Sequence, residues 1–194
     1  MILLVGVEGN MGRLFAVILF LIFGIIGTLF NNTHHPSGRT IEEAIERSGR
    51  EVVAILHREK VNDGEVVFYH KGINDGEAHS IAAGYVQRTN SGWKWVSGGE
   101  HTGIDEVTAQ YFPSTKGYVK SSFPLAYGES LREDIASIGV LTKNSDIVKK
   151  ARIVGNEEGK IWFVFLNPSD GILTKIVGYN QVGEIIFLSG YVEP

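Results

Sequence analysis

The chain has 194 residues, 43% of them hydrophobic and 21% charged, with a net charge of −4. That length suits one domain plus an anchor, and the balance excludes both a disordered chain and a multi-span membrane protein. Lys and Arg are scattered among acids, which speaks against nucleic acid as a partner, and the absence of cysteine excludes disulfides, thiolate metal sites and Cys nucleophiles.

Residues 14–30 read LFAVILFLIFGIIGTLF, seventeen residues without a charge. This is the lower end of what crosses a hydrocarbon core as a helix, and it has no polar face to show water. Arg13 precedes it and the next cation is Arg39. A cation on the N-terminal flank holds residues 1–13 in the cytoplasm and sends the C-terminal part outside, with the membrane as a partner through this helix. Phe30-Asn31-Asn32 replaces the small-residue exit that a signal peptidase prefers. An uncleaved transmembrane anchor is therefore favoured, with a cleaved signal peptide as the rival reading. Glu8-Gly9 translates a purine run that resembles a bacterial ribosome-binding sequence, so Met11 is expected to be the true start. Residues 1–10 as a short cytoplasmic tail are the alternative.

Residues 31–39 (NNTHHPSGR) form a polar linker to an extracytoplasmic domain at 40–194. Thr40 and Glu43 make a capping box ahead of Ile41, Ala44 and Ile45, and Gly49 stops that helix. From Val52 the period becomes two. Asn62-Asp63-Gly64 turns one strand into the next, on which Val66, Phe68 and His70 share one face and Val67 and Tyr69 the other. Asn74-Asp75-Gly76 turns again, residues 80–88 form a third strand, and Asn90-Ser91-Gly92 leads into Trp93–Ser97. Residues 100–129 read as loops around a strand near 107–112.

The second half repeats this grammar. Residues 51–76 align without a gap on 146–171, matching Val53 with Val148, Gly64 with Gly159, Phe68 with Phe163 and Asp75-Gly76 with Asp170-Gly171. Ser130, Glu133 and Ile135 match Thr40, Glu43 and Ile45. The fold expected is α+β and mainly antiparallel β: an N-terminal transmembrane helix, then a compact domain built as a helix-plus-meander duplication with repeats 40–99 and 130–191. Turn chemistry shared by any two meanders explains the same match without duplication.

The stretches GYVQRTNSGWKWVSGG (84–99), GKIWFVF (159–165) and KIVGYNQVGEIIF (175–187) resemble uncharacterised, membrane-anchored proteins of Gram-positive bacilli. The resemblance implies topology and carries no activity.

No G-x-S-x-G, H-E-x-x-H, P-loop or dinucleotide fingerprint is present. Ser91-Gly92-Trp93-Lys94 matches S-x-x-K across a hairpin turn, where Ser and Lys are not set one helical turn apart. His57 and His70 flank the 62–64 turn and are candidate neighbours, with His101 or Glu59 as a third group; a core-edge role for His70 is favoured over a metal site. Trp93 and Trp95 share a strand face, which suits either a sugar-stacking platform or a core, and the core is favoured. Glu100, Asp105 and Glu106 form the one local acid cluster. The expectation is thus an interaction domain without catalysis or cofactor, binding an envelope protein or glycan through Trp93, Trp95, His57 and His70. The alternative is a cell-envelope hydrolase using the acids or a histidine.

Overall fold

The computed structural model describes residues 37–72, 79–101, 105–113, 123–156 and 159–190, all within one compact unit, His35–Pro194. The expected tail, start site and anchor, and most of the linker, lie outside the described residues. Among the described residues no helix is long and apolar enough to cross a membrane.

The domain opens with helix α1, Ile41–Glu46, capped as the sequence predicts: the Thr40 hydroxyl accepts from the Glu43 amide at 3.1 Å. The Glu43 carboxylate reaches back one residue further than a capping box requires, to the Arg39 amide at 2.6 Å. Ile41, Ala44 and Ile45 are buried on one side of the helix. Gly49, at φ +83°, supplies the left-handed turn that releases the chain.

Four strands follow as an antiparallel meander, β1 (Ala54–Val61), β2 (Gly64–Gly72), β3 (His79–Thr89) and β4 (Gly92–His101). A second sheet has the order β5-β6-β10-β9, built from β5 (Gln110–Phe112), β6 (Leu125–Glu129), β9 (Arg152–Asn156) and β10 (Gly159–Phe165). The third is β12-β11-β7-β8, from β7 (Ser137–Thr142), β8 (Ser145–Lys150), β11 (Leu173–Tyr179) and β12 (Ile185–Gly190). All pairings in these sheets are antiparallel. The mainly antiparallel β architecture is as the sequence leads one to expect.

Three apolar layers stack these elements. Ile41, Ala44 and Ile45 of α1 meet Val67, Tyr69, Ala82, Val86 and Trp95 of the first sheet. The other face of that sheet, with Val66, Phe68 and Tyr85, packs on Leu125, Tyr127, Ile161 and Phe163 of the second. The second sheet's far face, with Ala126 and Trp162, packs on Ile138, Val140, Leu173 and Ile176 of the third. The first two sheets are therefore covered on both faces, which is why β2, with its unbroken Val66-Val67-Phe68-Tyr69 run, is buried at seven consecutive positions. Among the described residues, no apolar cluster lies on the other face of the third sheet.

The duplication does not survive as a repeated meander. The two hairpins do match in register: Val61 faces Gly64 and His57 faces Phe68, as Asn156 faces Gly159 and Arg152 faces Phe163. Beyond them the order diverges, because β10 takes β6 as its neighbour where β2 takes β3, and β11 pairs with β7 in another sheet. Tyr85 is buried at 1% exposure between sheets, whereas Tyr179 sits half-buried on the third sheet. The helix expected at Ser130–Ile135 is absent. Ser130 bridges to Val107, and Ile138, Val140 and Thr142 alternate into the third sheet, so the period of two prevails over a short capping signal.

Candidate functional site

The histidines singled out in the sequence lie between the first and second sheets and take separate partners. A bulge between Ile55 and His57 shifts the phase of β1, which turns His57 onto Phe68 and Phe163, at ring-centroid distances of 6.2 and 5.5 Å. His57 Nε2 lies 3.0 Å from Glu59 Oε2, and Arg152 donates to Glu59 Oε1 at 2.7 Å. Burial works against the Glu59 charge, but these two hydrogen bonds hold its pKa below the usual carboxylate value. His70 is buried at 6% exposure, and its Nε2 lies 3.0 Å from Glu129 Oε1 of β6. The two histidines are thus not one constellation: each closes a different polar gap at the rim of the Phe68–Phe163 core. Among the described residues no three His, Asp or Glu side chains come together to hold a metal.

Trp93 and Trp95 do share the helix-side face of β4. Trp95 is 1% exposed, with its ring against Gly84 and Gly98 and the Arg50 guanidinium stacked on it at 4.6 Å. That burial removes it as an open sugar platform. Trp93 is half-buried, covered by Arg88 at 5.0 Å and tied through its backbone to Gly38.

The acid cluster is dispersed. Glu100 pairs with Lys71 at 2.7 Å, Glu106 lies 3.7 Å from Arg132, and Asp105 is exposed. Hydrolysis by paired carboxylates requires two such groups facing one bond across less than about 10 Å. Here two members are turned to cations on different elements.

The feature that the sequence reading passed over is the outer face of the third sheet, on which no apolar cluster packs among the described residues. Val148 is 41% exposed there, Ile185 62% and Leu188 62%. Of the other exposed hydrophobic residues nearby, Ile147 precedes Val148 on β8 and so points the opposite way, and Val182 sits in the turn before β12. Register explains how they gather. Ile138 and Val140 point to the core, so Gly139 between them points out, and a Cβ there meets Val148 at 2.4 Å and Tyr179 at 3.4 Å. Val177 faces Gly139 on one side and Leu188 on the other, and Tyr179 faces Ile185. Val148, Tyr179, Ile185 and Leu188, from three of the four strands, thus form one apolar stripe around Val177, which is itself 3% exposed. Lys150 and Lys175, both exposed, border it, facing Gly139 and Leu141. Soluble surfaces scatter single hydrophobic residues; a contiguous group of this kind marks a contact site.

Neither the sequence, compared with family models and curated proteins, nor the fold, compared with solved structures, finds a match.

Proposed function

We propose that this chain is a membrane-anchored, extracytoplasmic interaction protein that binds a protein partner through the open face of its third sheet. The observation that carries the reading is the grouping of exposed Val148, Ile185 and Leu188 beside Tyr179 on one face of that sheet. The partner is one that offers an aliphatic surface edged with carboxylates, since Lys150 and Lys175 border the stripe. Apolar burial supplies the affinity of such a contact, and the charges set its orientation and encounter rate. The sequence supports the membrane half of the proposal through the uncharged run 14–30 behind Arg13, and the resemblance to anchored proteins of Gram-positive bacilli agrees with it. The hydrolase reading draws no comparable support, because Glu100 and Glu106 face separate cations.

The test joins topology to contact. External protease on protoplasts is expected to digest the domain, and protection of the domain sinks the topology. The chain has no cysteine, so a thiol-directed cross-linker can be placed at Leu188→Cys in the full chain. It is expected to trap one discrete protein, lost when Val148→Asp is added and not trapped from Ser91→Cys on the far layer. Equal trapping from both positions sinks the docking face.

A further inference from the structure

A second site lies at the opposite end of the layered domain, where the residues after α1 meet the first sheet. Ser48, Gly49 and Arg50 face Tyr69, Lys71 and the Gly98-Gly99-Glu100 run of β4 across a cleft of about 420 Å³. Its groups are arranged in an unusual way for a surface depression. Arg50 makes no ion pair among the described residues. Its guanidinium lies on the Trp95 ring at 4.6 Å while Nη1 donates to the Ser48 carbonyl at 3.2 Å and to its hydroxyl at 3.0 Å. Stacking and two hydrogen bonds fix the plane of the fork and leave the Nε and Nη2 donors unused by those contacts.

Tyr69 is the second element. The residue is 1% exposed yet lines the cleft, and its hydroxyl has no hydrogen-bond partner among the described residues. Burial pushes its pKa up to about 12, with Arg50 acting to lower it and Glu100 to raise it. The phenol therefore stays a neutral donor at physiological pH, and both charges are near enough to act on it. Lys71 is the third element, 2.7 Å from Glu100. The Glu100 side chain is 47% exposed, so that ion pair is a weak one that can be exchanged. The glycines leave the wall open: a Cβ on Gly98 falls 2.2 Å from the Trp95 ring. The other acid nearby, Glu51, has its carboxylate 2.9 Å from a Cβ built on Gly72. The Tyr69 oxygen is not among the enclosed unpartnered atoms, which are Ser97 Oγ and Thr142 Oγ1 among the described residues, so it opens onto the cleft beside the fixed guanidinium, where one acceptor can meet both donors.

We propose that this cleft binds a small molecule through one carboxylate or phosphate group, held by the Arg50 fork, the Tyr69 hydroxyl and a Lys71 ammonium that exchanges Glu100 for the ligand. The site is separate from the third-sheet face, so its failure leaves the docking proposal standing, and the reverse holds too.

The test is calorimetric titration of the full chain with two probes, inorganic phosphate and glucuronate, at constant ionic strength held with chloride. Saturable binding of at least one is expected below about 20 mM, the weak end of specific recognition. Tyr69→Phe removes a single oxygen from a buried ring and is expected to weaken binding by about three- to tenfold, the range of one hydrogen bond. Arg50→Met, which keeps apolar cover over Trp95, is expected to weaken it by about tenfold or more. Glu100→Gln has the opposite sign: it frees Lys71 and is expected to tighten binding by roughly two- to fivefold. Thermal melts of the variants identify any that fail to fold, and Tyr69→Phe and Glu100→Gln keep the test decisive if Arg50→Met is lost. Absence of saturable binding for both probes overturns the site. Equal affinity in Tyr69→Phe, or weaker binding in Glu100→Gln, overturns the assignment of donors and with it the proposal.

Discussion

Phe163 is the residue whose removal most directly tests how the first two sheets are held together. It is 1% exposed, and its ring lies 4.9 Å from Phe68, 5.8 Å from Phe165 and 5.5 Å from His57, with the Arg152 guanidinium 5.1 Å from its centre. Phe163→Ala deletes the ring from a site enclosed by two sheets, each fixed by its own ladder, so collapse of the cavity is limited. The expected loss is roughly 3–5 kcal/mol, as for other buried aromatics. In a domain of this size each kcal/mol lowers the melting temperature by about 2–4 °C. Phe68→Ala should lose a similar amount, and the double variant should lose less than the sum, by about 0.5–1.5 kcal/mol, because the pair's own contact is counted twice. The assay is urea unfolding of the full chain followed by circular dichroism, with a slope that stays unchanged. A loss below about 1 kcal/mol for Phe163→Ala, or strict additivity, refutes the facing of Phe68 and Phe163.

Gly84→Ala places a Cβ 1.8 Å from the buried Trp95 ring and is expected to destabilise by about 1–3 kcal/mol or more. Gly190→Ala meets nothing within 4 Å and should stay within about 0.5 kcal/mol of the parent; equal melts for the two variants count against the packing of Trp95. Glu129→Ala removes the carboxylate facing buried His70 and should cost about 1–3 kcal/mol, read by urea midpoint. Acid should weaken the fold through Asp63 and Glu59. The Tyr85 hydroxyl and the Gln87 amide hold Asp63 below its ordinary 3.8, and Glu59 sits below its ordinary 4.5. With folded values below unfolded ones, their contribution is complete above about pH 4.5 and is lost as the pH falls through the lower folded values. Urea midpoints between pH 7 and 3 check this, and Asp63→Asn should flatten the acid limb; an unchanged limb counts against the assignment.

The first half of the domain was legible because its information is local. Thr40 and Glu43 cap a helix, Asn62-Asp63-Gly64 closes a two-strand turn, and the next strands pair in chain order. The second half was less so, because its local hairpins, β7–β8, β9–β10 and β11–β12, are joined into sheets by β6–β10 and β7–β11, which pair strands far apart in the chain. GKIWFVF (159–165) reads as a buried strand, yet nothing in it names Leu125–Glu129 as its neighbour. Ser130 and Glu133 carry the letters of a cap, but Ile138 and Val140 two residues apart fit a pleated sheet better than a helix of so few residues. The same limit hid the exposed apolar stripe of the third sheet. Val148, Ile185 and Leu188 look like any strand hydrophobics, and alternation cannot say which sheet face is left without a cover. His57 and His70 stand on the two strands joined by the 62–64 turn, but they take different carboxylates, Glu59 and Glu129.

The central claim is that this domain stands outside the membrane with the open face of its third sheet covered by a partner protein. Labelling of Leu188→Cys by a membrane-impermeant maleimide tests it on intact protoplasts and on the purified full chain, with Ser91→Cys as reference in each. The account predicts that Ser91→Cys reacts on protoplasts without permeabilisation, at the same rate as in the purified chain. Leu188→Cys should react several-fold more slowly on protoplasts than when purified. Equal rates for Leu188→Cys in both settings, or no reaction at Ser91→Cys until the membrane is opened, contradicts it.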